Sequence, residues 1–180
     1  MKHIYIVRHC QATGQEPDAP LTERGQQQAV QLASFFAETA VDSILSSPFE
    51  RAYRTVSPLA EKLGLKIETD EKLTERVLTG QNHPNWREML RQTYDDLDLC
   101  YEGGESSRGA MERASSVVRE VLESEQTHTV IVSHGNLISL LLKHFDSRIG
   151  FPEWESLSNP DVYHLSFAGE QPAIERIWRE

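Results

Sequence analysis

The stretch Ile4-Tyr5-Ile6-Val7-Arg8-His9-Cys10 decides how the chain is read. Its first four residues are a continuous β-favouring run with no polar alternation, the pattern of a strand buried on both faces. A charged and nucleophilic triplet follows at once. Thr129-Val130-Ile131-Val132 followed by Ser133-His134-Gly135 repeats the plan late in the chain, and Ser43-Ile44-Leu45-Ser46 before Ser47-Pro48 is a shorter version. Lys66-Ile67-Glu68-Thr69 predicts one more strand.

Helical segments separate these strands. Thr22 is an N-cap candidate for a helix carrying Ala29, Leu32, Ala33 and Phe36 and ending near Thr39. A second helix spans about Glu50 to Leu63, with Gly64 as its stop and Pro58 as a possible kink. Asn85 with Glu88 suggests a capping box and a helix to about Tyr94. Asp95 to Glu105 reads as an acidic loop turning at Gly103-Gly104. Ser106 or Ser107 then opens a long helix with Ala110, Ala114, Val117, Val118, Val121 and Leu122 on one face. Leu137 to Phe145 is apolar nearly all round and reads as a core helix. Val162 to Phe167 and Ile174 to Trp178 read as an antiparallel edge pair. The expected fold is α/β: a three-layer sandwich with a mostly parallel central sheet and an antiparallel edge. Residues 1–180 are expected to form one domain, with a short lid-like insertion at about 76–105.

Ligands on such sheets bind beyond the carboxyl ends of the strands. Arg8, His9, Arg51, Glu75 and His134 are all predicted to meet there. Singly, each has an ordinary structural or surface role; joint placement at successive strand ends carries the functional reading. Neutral imidazole is a nucleophile near neutral pH. Arginine forks suit the oxygens of a transferring phosphoryl group, and a carboxylic acid can protonate a leaving alkoxide.

Composition and motifs limit the alternatives. Against 18 Lys+Arg stand 28 Asp+Glu, a net charge of −10, which disfavours nucleic acid and anionic membranes as partners. The apolar fraction of 38% suits a globular protein rather than a disordered chain. No apolar run is long enough to span a bilayer, and the first residues lack the pattern of a secretory signal. Cys10 and Cys100 are too few for a disulfide framework, so a cytoplasmic location is expected. Cys10 is followed six residues later by Glu16 rather than Arg, so the cysteine-phosphatase loop is missing. There is no phosphate-binding glycine-lysine loop, no zinc pattern and no Gly-x-Ser-x-Gly elbow.

With those residues in view, the sequence resembles the histidine phosphatase superfamily, of phosphoglycerate-mutase-like fold. The resemblance is carried, in order, by Val7-Arg8-His9, by Leu21 to Gly25 with Gln28-Ala29, and by Ser46-Ser47-Pro48 with Arg51-Ala52 and Thr55. It continues through Leu73-Thr74-Glu75, Gly104-Glu105-Ser106 with Arg113, and Val130 to Gly135. It implies that His9 is the phosphorylated nucleophile. It also implies that Arg8, Arg51 and His134 hold the phosphoryl group. Glu75 would be the proton donor and then the base that activates water. Gln15, by position in the loop, and Gly135 are the further phosphate-pocket residues it implies. Neither metal nor organic cofactor is implied. Cys10 and Gln11 depart from the Gly and acidic residue common in the family; the thiol reads as inert, with an oxidation switch as the minority alternative.

The expected reaction is hydrolysis of a small phosphorylated metabolite. The alternatives are a cofactor-dependent phosphoglycerate mutase, a non-catalytic phosphate-binding or regulatory module, and a metal-dependent phosphatase. Mutases carry a longer insertion, whereas this segment is short and holds Asp95, Asp96, Asp98, Glu102 and Glu105, which would repel a second phosphate if they face the cleft. Trp86, Met89, Leu90, Tyr94 and Tyr101 in the same segment read either as packing or as an apolar wall for an organic leaving group. Oligomeric state and substrate identity are not legible.

Overall fold

Strand β1 (Lys2–Arg8) has a strictly two-sided core. Ile4 and Ile6 face one helical layer, while Tyr5 and Val7 face the other. The computed structural model describes residues 1–179. After β1 come α1 (Glu23–Phe35), β2 (Ser43–Ser46), α2 (Glu50–Leu63) and β3 (Ile67–Thr69). A single 3₁₀ turn, Glu71–Leu73, precedes α3 (Trp86–Asp95) and α4 (Ser107–Glu123). β4 (His128–Ser133), α5 (Gly135–Phe145), α6 (Phe151–Ser156), β5 (Asp161–Phe167) and β6 (Pro172–Arg176) complete the chain.

The sheet order is β3-β2-β4-β1-β5-β6. β1, β2, β3 and β4 run parallel, while β5 is antiparallel to β1 and β6 to β5. Register puts Arg8 beside Ser133 and Ser46 beside Val132, so the functional ends of β1, β2 and β4 lie side by side. One face packs against Leu32 within α1, Phe36 just after it, and Val56 and Leu59 of α2. The opposite face packs against Val117 and Val118 of α4 and Leu137 and Leu140 of α5. This is the expected three-layer α/β sandwich with an antiparallel edge.

Local signals set the helix ends. Thr22 Oγ1 accepts the Gly25 N–H at 3.0 Å, and Ser106 Oγ accepts that of Gly109 at 3.1 Å. Gly64 ends α2 in the left-handed conformation at φ 66°. Several expectations are corrected. α1 stops at Phe35, and turns rather than helix carry the chain to Thr39. Asn85 precedes α3 without a side-chain cap bond: its backbone, at φ −100° and ψ 25°, is not in the extended conformation of a capping residue, and Glu88 pairs with Arg91. β6 ends at Arg176, and Trp178 turns back to pack on Phe35 with ring centroids 5.2 Å apart. α6 carries no sequence signal of its own at six residues.

Candidate active site

Three parallel strands end together and deliver three polar segments to one edge. From β1 come Arg8 and His9, from β2 Ser47, and from β4 Ser133 and His134. His9 N donates to Ser133 O at 3.2 Å, tying the first histidine's backbone to the strand that carries the second. The imidazole centroids of His9 and His134 lie 5.2 Å apart.

His9 is 6% exposed. Its Nδ1 lies 2.7 Å from Cys10 O. A carbonyl only accepts, so Nδ1 carries the proton and Nε2 keeps its lone pair. Arg51 Nε donates to that Nε2 at 3.3 Å. Burial pushes the His9 pKa down to about 3, against a weaker raising effect of the Cys10 carbonyl, and the Arg51 and Arg8 charges lower it further. His9 is therefore neutral and nucleophilic across the ordinary pH range.

The surrounding loops are pinned by uncharged groups. Cys10 N donates to Thr55 Oγ1 at 2.8 Å, and that hydroxyl donates to Arg51 O at 2.7 Å. Thr55 thus joins the nucleophile loop to the turn of α2 that carries Arg51. Asn159 Nδ2 donates to His9 O at 3.0 Å. The Cys10 thiol is wholly buried and burial pushes it up to about 12, which keeps it protonated and unreactive.

Arg51 Nη1 donates to the carbonyls of Gln15 (3.2 Å) and Glu16 (2.9 Å). Arg8 Nη1 donates to Leu157 O at 3.1 Å. Its guanidinium passes over Gly135, where a Cβ would come within 3.0 Å of Arg8 Nε. His134 is fully buried, with Nε2 2.8 Å from Ser47 Oγ, and its pKa is held well below the usual imidazole value by burial and then by His9, Arg51 and Arg8. Arg8 Nε and His134 Nδ1 are buried without a protein partner.

Glu75 follows the 3₁₀ turn, and its carboxylate sits against the first turn of α5. Its Oε1 accepts from Arg76 N (2.8 Å) and Leu137 N (2.9 Å), and its Oε2 accepts from Asn136 N (3.1 Å). With only one donor on Oε2, a lone pair there is free to take a proton. Arg113 braces this segment by donating to Lys72 O (2.7 Å) and Thr74 O (2.8 Å) while forking onto Glu105. Glu105 Oε1 accepts from Val77 N at 3.2 Å, closing the brace on the far side of Glu75.

A cleft of about 770 Å³ opens here, lined by Gln15, Phe49, Arg51, Glu75, Val77 and Trp86 among others. Of the five predicted residues, Arg51 and Glu75 line this cleft, and His9, His134 and Arg8 join them through the His9–Arg51 contact, the approach of the two imidazoles and the adjacent ends of β1 and β4. Gln15 lines the cleft and reaches the cluster through its carbonyl. Gly135 meets it as the floor beneath Arg8. Sequence reasoning missed Asn159, Leu157 O and the buried Asp161, which fixes their loop by accepting from Ser158 N and pairing with Arg176. The cluster of carboxylates in residues 95–105 does not line the cleft. Asp95, Asp98 and Glu105 are paired with Arg91, Arg108 and Arg113 instead. Their repulsion of a second phosphate, expected from sequence, therefore has no geometric support. Among the described residues, no group of three or more His, Cys, Asp or Glu is arranged to hold a metal ion.

Known proteins share this arrangement of sequence and fold. A family model described as histidine phosphatase superfamily (branch 1) matches residues 4–179. A relative from Escherichia fergusonii, named "Probable phosphoglycerate mutase GpmB", is 31% identical over 172 residues, covering 86% of this chain and 78% of the relative. A solved mycobacterial glucosyl-3-phosphoglycerate phosphatase in complex with VO3 superposes with TM-score 0.80 at 26% identity, covering 98% of each chain. Bacillus stearothermophilus YhfR superposes with TM-score 0.80 at 22% identity, covering 98% of this chain and 96% of its own, and shares the fold. The match over nearly the whole length settles descent: this chain belongs to the histidine phosphatase superfamily, branch 1.

Proposed function

We propose that the chain hydrolyses phosphomonoesters of small metabolites through a phosphohistidine on His9, with Glu75 as proton donor. The observation that carries this reading is the fixed tautomer of His9, whose Nδ1–H is held by Cys10 O so that the Nε2 lone pair meets Arg51, a residue that lines the cleft. Attack of Nε2 on phosphorus breaks the ester P–O bond, and the alcohol oxygen takes the proton from Glu75. The ring gains positive charge, and the Cys10 carbonyl stabilises it through Nδ1–H. Water then attacks phosphorus in line, Glu75 takes its proton, the P–N bond breaks, and neutral His9 returns.

Arg51 and Arg8 neutralise the phosphoryl oxygens, and those oxygens supply acceptors for the unpartnered Arg8 Nε. Gln15 and Gly135 act at one remove, through Arg51 and Arg8. Hydrolysis rather than mutase chemistry is favoured by the guanidinium groups of the cleft, of which Arg51 faces His9 while the donors of Arg76 are taken by Glu105 O and Thr93 Oγ1. Residues 76–105 act as a lid-like insertion on a single domain. No helix among the described residues is long and apolar enough to cross a membrane. We assign the protein to the cytoplasm from its cysteine usage, one thiol buried and one exposed.

The test is phosphate release from an aryl phosphate with chelator present, comparing wild type with His9→Ala. Chelator-resistant release that the substitution abolishes is the expected result. Interconversion of phosphoglycerates without net phosphate release would favour the mutase. No turnover of either kind would favour a binding module, and loss on chelation a metal-dependent route.

A further inference from the structure

We infer that the cleft selects monoesters of uncharged alcohols with an apolar or aromatic face, and disfavours alcohols carrying a carboxylate or a second phosphate. The inference rests on the hydrolase reading and adds the class of leaving group.

The first support is the distribution of cations. Arg51 and Arg76 are the guanidinium groups that line the cleft. Arg51 is directed at the phosphoryl position beside His9. Arg76 is 4% exposed, and its donors go to Glu105 O at 3.2 and 3.0 Å and to Thr93 Oγ1 at 3.4 Å. Arg87, next to Trp86 in sequence, is paired with Glu155 and lies over the Phe151 ring. No lysine lines the cleft, and His83 is the imidazole among its lining residues. A second anion on the substrate would leave water without gaining a free guanidinium or ammonium group, and it would share the cleft with the Glu75 carboxyl.

The second support is independent of charge. Val77 and Trp86 are two of the four large hydrophobic side chains left exposed among the described residues, at 49% and 47%, and both line this cleft. Trp86 is held edge-on to Trp154, with ring centroids 6.3 Å apart. Phe49 adds a ring already fixed by His134 and Arg51. An apolar alcohol moiety buries this surface, and an aromatic one gains ring contacts as well. Leu90 and Tyr94 of the same helix are buried packing residues, so the two sequence readings of this segment divide between its faces.

The experiment compares kcat/KM for benzyl phosphate, n-propyl phosphate and 3-phosphoglycerate at pH 8. All three release primary alcohols, so leaving-group chemistry is closely matched, and pH 8 lies above the ordinary imidazole range. Benzyl phosphate should exceed 3-phosphoglycerate by about 10-fold or more, with propyl phosphate between them. Trp86→Ala should lower the benzyl-to-propyl ratio by about 5- to 10-fold, and Val77→Lys should raise use of 3-phosphoglycerate. Circular dichroism confirms that each variant folds. Use of 3-phosphoglycerate at or above benzyl phosphate would overturn the inference while leaving hydrolysis standing. An unchanged benzyl-to-propyl ratio in Trp86→Ala would also overturn it. Absence of histidine-dependent release from all three esters would overturn the hydrolase reading, and this inference with it.

Discussion

Arg51 Nε points at His9 Nε2 across 3.3 Å, so on the proposed route the arginine occupies the direction from which phosphorus approaches. Binding has to exchange this contact for Arg–phosphoryl contacts. Nη1 stays tied to the Gln15 and Glu16 carbonyls, which leaves Nε and Nη2 for the anion. Lysine cannot divide its donors between anchorage and substrate in this planar way. Arg51→Lys should therefore lower kcat/KM by about 10²- to 10³-fold and weaken inhibition by inorganic phosphate. Steady-state kinetics with phosphate as competitor checks both effects.

Glu75 is held by three backbone N–H groups, from Arg76, Asn136 and Leu137. Glutamine keeps the shape and one acceptor oxygen but cannot give or take the catalytic proton. Glu75→Gln should cost about 10²- to 10⁴-fold with benzyl phosphate. The loss should shrink for 2,4-dinitrophenyl phosphate, whose leaving group needs no proton. An equal loss with both esters would assign Glu75 a positioning role only.

Gly135 is the first residue of α5, and its missing side chain makes room for the Arg8 guanidinium. A Cβ there would meet Arg8 Nε, Cζ and Nη2 at 3.0 to 3.2 Å. The helix itself gains from alanine, by up to about 1 kcal/mol. Gly135→Ala should accordingly keep or raise the urea midpoint while weakening phosphate binding about 10-fold. A variant that loses stability and binding together would show that Gly135 serves the backbone rather than Arg8.

The strand ends were readable because each polar residue follows directly on a buried apolar run. Arg8, His9 and His134 needed only that adjacency, and Arg51 only one helical turn. The roles of Asn159, Leu157 and Asp161 were not readable. They follow α6, which is too short for a periodic signal, and Asn159 meets His9 across 150 positions of sequence. The acidic run at 95–105 misled for a related reason. Charge counts along the chain do not say which carboxylates are paired, and Arg91, Arg108 and Arg113 each claim one. The close approach of Arg8 to Gly135 was not readable either, because Arg8 ends β1 and Gly135 begins α5, far apart in sequence.

Burial of neutral His9 makes folding sensitive to mild acid. In the native state its pKa is about 3, whereas an unfolded histidine titrates near 6.5. Between those values the unfolded chain binds more protons, so stability rises with pH across the window. The contribution is whole above about 6.5 and is lost progressively as pH falls toward 3. At pH 5 the loss from His9 is about 2 kcal/mol, since 1.5 pH units at 1.36 kcal/mol each separate the two states. His134, lowered in the same direction, adds to it. Urea unfolding at pH 8 and pH 5, in phosphate-free buffer, should show wild type losing about 2 kcal/mol more than His9→Asn. Subtracting the variant removes carboxylates such as Asp146, which titrate alike in both proteins. Equal losses in the two proteins would mean that His9 takes up its proton in the folded state, and that the buried neutral nucleophile is not how this site is built.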